Sequence, residues 1–268
     1  MEALRSVDGW PAAHAAVAVV GRGGVLATRG ESDRVFRWAS VTKLLTAHAA
    51  LVALEEGIVD LDEPAGPPGS TLRHLLSHAG GLPLNQGPPI ARPGQRRIYS
   101  NSGIEAAAAT VAAGAEMPFP EYLRAAVTGP LGLSSHLEGS AAWGHRGTLD
   151  DLCRLASELL APALVAPETL AEATSTQFPG LTGVLPGFGR MEPNDWGLGF
   201  ELRDGKRPHW TGERNSPRTF GHFGAAGTFL WVDPDAGLAL ACLTDLEFGA
   251  WAVEAWPRLS DSVLEELE

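Results

Sequence analysis

The sequence is expected to fold as an α/β (α+β) protein in which one antiparallel sheet is built from both chain ends and flanked by helices, with a mostly helical lobe inserted between them. Three observations predict this: a hairpin signal near each end, a helix-rich middle, and glycine and proline punctuation between the helices. A single domain over residues 1–268 is expected, with residues 1–45 and 190–268 forming the α/β lobe and residues 46–189 the helical lobe.

The elements follow in chain order. Residues 15–20 and 24–28 are short, largely apolar runs separated by Gly21-Arg22-Gly23, a hairpin. Residues 44–55 are rich in Ala and Leu, carry apolar side chains at Leu44, Leu45, Ala49, Leu51 and Val52, and stop at Gly57, which predicts a buried helix. Residues 72–76, 104–113, 121–127 and 149–160 also read as helices. A second hairpin is expected where residues 228–232 and 238–243 flank Asp233-Pro234-Asp235-Ala236-Gly237. The last helix, over 251–268, is expected to be interrupted or bent at Pro257.

Composition narrows the function classes. A hydrophobic content of 44% supports a buried core, and a net charge of −12 argues against nucleic acid or an anionic membrane surface as partner. No apolar run approaches the length of a membrane span. With Met1 taken as the native start, the first residues lack the basic and apolar segments of a secretory leader, so a cytoplasmic location is expected. Cys153 and Cys242 form no paired motif and are expected to be reduced, structural thiols.

Chemistry concentrates in three segments. The chain has two lysines, and one of them, Lys43, follows Ser40 by three residues in Ser40-Val41-Thr42-Lys43. Helical spacing puts the hydroxyl and the amine on one face, and lysine, unlike arginine, can be driven to the neutral amine by burial; this is a nucleophile and base pattern. On an exposed helix the same lysine is merely solvated. The second segment is Tyr99-Ser100-Asn101, where a phenol can relay a proton if neighbouring cations lower its pKa, and an amide can accept from Lys43 and donate to a substrate carbonyl. Ser and Asn also suit a plain helix cap. In the third, Gly221-His222-Phe223-Gly224-Ala225, glycines allow close backbone approach, His222 offers a titratable group, and an amide beyond Gly224 can face an oxyanion; the same histidine can equally be a satisfied structural residue. His74 and His78 have the spacing of two metal ligands on a helix, but no Glu accompanies them, and no metal or other cofactor is expected. Lys206, in Asp204-Gly205-Lys206-Arg207-Pro208, is expected to be a solvated loop lysine.

In this order the three segments resemble the serine β-lactamase and penicillin-binding-protein superfamily, specifically its class C β-lactamase-related branch. Ser40 to Lys43 matches the Ser-x-x-Lys element, Tyr99-Ser100-Asn101 the Tyr-x-Asn element, and His222-Phe223-Gly224 stands where lactamases carry Lys-Thr-Gly. Supporting segments are Leu75 to Pro83, Trp196-Gly197-Leu198-Gly199-Phe200, and Val232-Asp233-Pro234 leading into Leu243-Thr244-Asp245. The resemblance implies a β-lactamase/transpeptidase-like fold. It implies that Ser40 is the acylated nucleophile, Lys43 its base and Tyr99 the proton shuttle, with Lys43 and His222 holding the phenol's charge state. It also implies that Asn101 orients the acyl side chain and that the amides of Ser40 and Ala225, beside Gly224, form the oxyanion hole. The expected activity is hydrolysis of a small-molecule ester or amide through an acyl-enzyme. A same-site acyltransferase, a true β-lactamase or D-Ala-D-Ala carboxypeptidase, and a silent binding module are the alternatives. His222 in place of lysine removes a permanent cation unless it is protonated, so weak or no antibiotic hydrolysis is expected, with Arg92, Arg96 and Arg97 as the local groups that recruit anions.

Overall fold

Alternation sets the sheet: in Ala15–Gly21, Ala16, Ala18 and Val20 join one apolar cluster, while Val17 and Val19 join another on the opposite face. The computed structural model describes residues 1–268. Its elements are β1 (Ala15–Gly21), β2 (Gly24–Gly30), β3 (Phe36–Arg37), α1 (Thr42–Glu55), α2 (Leu72–Leu76), α3 (Asn101–Gly114), α4 (Phe119–Leu123), β4 (His136–Leu137), β5 (His145–Gly147), α5 (Leu149–Leu160), α6 (Pro167–Ala173), β6 (Gly183–Leu185), β7 (Gly189–Met191), β8 (Glu201–Leu202), β9 (Phe220–Gly224), β10 (Thr228–Asp233), β11 (Leu238–Thr244) and α7 (Ala250–Leu267).

The main sheet has the order β2-β1-β11-β10-β9-β8 and is antiparallel throughout. Its central pairing runs from Ala15 opposite Thr244 to Gly21 opposite Leu238, so the two chain ends meet as expected. Both expected hairpins form. In the second, the Asp233 carboxylate accepts from the Asp235 and Ala236 amides at 3.1 and 3.2 Å, and Gly237 takes a positive φ of 67°. Helix α5 covers one face, with Leu152, Leu155 and Ala156 in the same cluster as Ala16, Leu230 and Ala241. Helix α7 covers the other with Trp256, Leu259 and Val263 against Val17, Phe229 and Trp231, and it continues through Pro257 as one element.

Helix α1 lies in the middle. Every residue from Thr42 to Ala53 is buried, so it has no solvent face and no amphipathic stripe. Three polar contacts tie its first turns to β5 and the segment before it: Thr42 Oγ1 accepts from the His145 amide at 3.0 Å, while Lys43 Nζ and Thr46 Oγ1 donate to the Ala142 and Ala141 carbonyls at 2.9 and 2.6 Å. The small sheet β3-β5-β4, the β6-β7 hairpin and α6 carry no strong periodic signal, and their shape depends on these tertiary contacts.

Two expectations need correction, and one sequence spacing is not realised on a helix. Lys206 is buried, not solvated: its amine donates to the Asp195 and Leu202 carbonyls and pairs with Glu201, which also accepts from Trp210 Nε1 at 2.9 Å and meets His209 at 2.8 Å. Burial alone raises the Glu201 carboxyl, but His209 and Lys206 outweigh it and hold it at about 2. Arg97 is also buried, its guanidinium donating to the carbonyls of Asn194, Ser77, Gln177 and Phe178, so it is a structural clamp and not an anion recruiter. His74 and His78 do not share a helix face, because α2 ends at Leu76 and His78 sits at φ 57° with Nδ1 accepting from the Ser100 amide.

Truncating one partner of a buried ion pair strands the other, so Lys206→Ala is expected to lose about 3–5 kcal/mol of stability. Arg218→Gln, at an exposed site, is expected to stay within about 0.5 kcal/mol. Urea denaturation of both variants checks this.

Candidate active site

Ser40 sits in the short helical turn Ala39–Val41 that leads into α1, and Ala39 holds a positive φ of 46°, a conformation that an L-residue adopts only when its surroundings enforce it. The enforcement comes from β9 and β10. Thr228 Oγ1 donates to the Trp38 carbonyl at 2.9 Å, and Gly224 lies so close that a Cβ there would stand 2.6 Å from that carbonyl oxygen and 3.0 Å from Ala39 Cβ. Gly224 is therefore needed for the sheet to approach the serine turn.

Lys43 is fully buried one turn into the helix, with Nζ 3.1 Å from Ser40 Oγ, 2.8 Å from Asn101 Oδ1 and 2.9 Å from the Ala142 carbonyl oxygen. Two of these three partners are obligatory acceptors. A neutral amine has two N–H donors and one lone pair, so with both donors spent on Asn101 and Ala142 the lone pair faces the Ser40 hydroxyl. Burial pushes the Lys43 ammonium down to about 7, and the Glu105 carboxylate pulls the other way. Glu105 stands one turn beyond Asn101 on α3, accepts from the Ala142 amide at 3.3 Å and from the Ser140 hydroxyl, and so holds the segment that presents the Ala142 carbonyl to Lys43.

Tyr99 and Asn101 come from the start of α3. Ser100 is the helix cap, its Oγ accepting from the Gly103 amide at 2.9 Å, which leaves the residues on either side free for chemistry. Tyr99 donates to Ser40 Oγ at 2.8 Å, and Asn101 Nδ2 donates to Asn85 Oδ1 at 3.2 Å. The expected lowering of the phenol pKa is reversed. Burial pushes Tyr99 well above its ordinary value, against the hydrogen bond to Ser40, because no cation but Lys43 stands near it and Lys43 itself is close to neutrality. With the Lys43 amine neutral, the order of protons is Tyr99 O–H to Ser40, and Ser40 O–H to Lys43.

His222 also departs from expectation. It is 2% exposed, packed against Tyr99 and Trp196 with ring centroids 5.7 and 5.5 Å apart, and its Nδ1 lies 2.7 Å from the Phe223 carbonyl oxygen. A carbonyl only accepts, so Nδ1 carries the proton. Burial, reinforced by Lys43, pushes its pKa down to about 3, leaving a neutral ring whose Nε2 is a bare acceptor without a protein partner. It replaces no cation and cannot hold a phenolate.

Ser40, Tyr99, His222 and Ala225 line one cavity of about 140 Å³ with Trp196, Leu185, Pro186, Phe223 and Phe248. The structure thus brings all the residues singled out in the three motifs into one place, with Gly224 at the back of the serine turn. Glu105, the Ala142 carbonyl and the walls from residues 185–187 and Phe248 escape sequence reasoning. For Glu105 the only signal is its one-turn spacing from Asn101.

The family model described as Beta-lactamase matches residues 11–265. A solved β-lactamase from Mycobacterium bovis is 54% identical over 99% of each chain, with a TM-score of 0.98. Simvastatin synthase (LovD) from Aspergillus terreus, 18% identical with a TM-score of 0.80 over 98% of this chain and 93% of its own, and EstCE1, a hydrolase with promiscuous acyltransferase activity, 19% identical with a TM-score of 0.78 over 98% and 96%, share the fold. Among curated proteins, the D-alanyl-D-alanine-carboxypeptidase/endopeptidase AmpH of Escherichia coli (strain K12) is 28% identical over 142 residues, 39% of this chain and 37% of AmpH. The chain thus matches little more than a third of that relative's length.

Activity that needs neutral Lys43 should rise with pH through a limb centred near 7. Glu105→Gln removes the charge that favours the ammonium, so it is expected to move that limb to lower pH, and a kcat/KM profile against pH measures the displacement. Lys43→Arg keeps the charge and loses the removable proton, and is expected to reduce kcat by about 10²- to 10⁴-fold in a protein that remains folded by circular dichroism.

Proposed function

The chain belongs to the Beta-lactamase family, and from that premise we propose that it is a serine hydrolase that cleaves small esters or amides through an acyl-Ser40 intermediate. The observation that carries this reading is the character of the cavity around Ser40. Apolar and aromatic side chains form most of it, and its histidine is neutral where the lactamase pattern places a lysine. Glu201, the one charged side chain in its lining, is held by Lys206 and His209, and the Lys43 amine beyond Ser40 has its donors committed to Asn101 and Ala142.

In the reaction, the Lys43 lone pair takes the Ser40 proton as Oγ attacks the substrate carbonyl carbon. The carbonyl oxygen becomes an oxyanion between the Ser40 and Ala225 amides, a type of contact that contributes several kcal/mol to the transition state. Tyr99, still protonated because burial raises its pKa, gives its proton to the departing alkoxide or amine and is reprotonated by the Lys43 ammonium beside it. An acyl-Ser40 ester and a free alcohol or amine result. Water then attacks that ester, its proton passes to Lys43, and Ser40 Oγ leaves with a proton returned through Tyr99, so the residues end as they began. Asn101 accepts from the Lys43 amine through Oδ1 and is itself held by Asn85 through Nδ2.

Two outcomes are expected. A fluorophosphonate or activated ester should add one acyl or phosphonyl group to the intact mass, and Ser40→Ala should abolish the addition; labelling that survives in Ser40→Ala contradicts the assignment. An aryl butyrate should have a larger kcat/KM than nitrocefin at the same pH, and the reverse order would restore lactamase activity as the better reading.

A further inference from the structure

A second, larger opening adjoins the Ser40 cavity. It holds about 470 Å³ and shares Tyr99 and Pro186 with that cavity. Leu84, Ile90 and Val184, which are 48%, 53% and 59% exposed, stand on its rim, with Ile98 along its floor. Exposed apolar side chains are ordinarily scattered, so three around one groove that opens on a candidate catalytic residue mark a surface for an apolar ligand. The charged lining is unusual in a chain of net charge −12: Arg96, Arg97 and Arg190 line the groove and no Asp or Glu does. Arg97 adds charge, but backbone carbonyls take four of its five guanidinium donors and it is buried. Arg96 is exposed, with only a 3.3 Å contact from Nη2 to the Ile90 carbonyl, and Arg190 is 70% exposed, with its Nε turned to Glu192. Both keep guanidinium donors available.

We infer that this groove takes the leaving half of the substrate, and that this half is an apolar chain or ring ending in a carboxylate or similar anionic group held by Arg96 and Arg190. The inference rests on the hydrolase reading, because the leaving half is placed there by Tyr99, the group that hands it a proton. Recognition of charge is thereby displaced from the scissile bond, where His222 is neutral, to the mouth of the groove.

The test uses butyrate esters of one alcohol in three forms: 8-(butanoyloxy)octanoic acid, its methyl ester, and octyl butyrate, with release of butyrate followed by chromatography. In the unmodified protein the acid is expected to exceed its methyl ester in kcat/KM by about fivefold, the size of an exposed ion pair, and the ratio is expected to fall as salt is added. In the Arg96→Gln/Arg190→Gln double variant the ratio should fall to about one, whereas Arg218→Gln, outside the groove, should keep it. A ratio near one in the unmodified protein, or one that survives in the double variant, overturns the inference while leaving the hydrolase reading intact if an aryl butyrate is still cleaved. Failure to cleave any butyrate, aryl ester included, overturns both.

Discussion

The Lys43 amine occupies the point at which the helical lobe, the loop before β5 and the serine turn converge. A lysine with no solvent exposure cannot keep a full charge cheaply, since removing an ammonium from water costs several kcal/mol unless acceptors replace the water. Here the acceptors are the Asn101 amide oxygen from α3 and the Ala142 carbonyl from the loop, with Ser40 as the third neighbour. Each comes from a different part of the chain. If α3 starts a residue later, Asn101 is no longer in place; if the 138–144 segment relaxes, the carbonyl is lost. Glu105 and Thr46 hold that segment from opposite sides. The same constraint that keeps the site together shapes its chemistry, because two satisfied donors and a low-polarity surround leave the neutral amine with its lone pair directed at one hydroxyl.

The sheet supplies the other half of the site. Strand β9 runs against the turn that bears Ser40, and the missing side chain at Gly224 and the hydroxyl of Thr228 let the two backbones touch. Around Tyr99, His78, Trp196 and His222 pack as tilted rings with centroid separations of 4.8, 5.8 and 5.7 Å from the phenol ring, which holds its hydroxyl toward Ser40 and leaves Lys43 as the one amine near it. A protonated phenol is then the stable state. In the proposed reaction Tyr99 acts as an acid and Lys43 as the base, a division of labour that follows from burial of both groups and from their different charge types.

Much of this was legible in the sequence, for identifiable reasons. Ser40 and Lys43 are joined by one turn of helix, so their relation needs no tertiary information. Tyr99 and Asn101 flank a serine that caps α3, and the hairpins at both ends announce themselves through apolar runs and turn residues. Charge states and burial were not legible. Lys206 looks like a loop lysine until Glu201 and His209 are brought to it, and Arg97 looks like a surface cation until four carbonyls from distant segments surround it. His222 looks titratable because its neutrality comes from packing by residues far away in sequence. Glu105 is invisible for the same reason: its effect passes through the backbone of Ala142. The short strands β3 to β7 are too brief to have a period of their own.

The central claim is that Lys43 is close to neutrality in the resting protein. Two lysines in the chain make this directly observable: with 13C-labelled lysine, the side-chain methylene signals can be followed through a pH titration and assigned by their loss in Lys43→Arg. A midpoint near 7 for the Lys43 signal is the predicted result. A midpoint near the ordinary lysine value, about 10.4, would contradict the account.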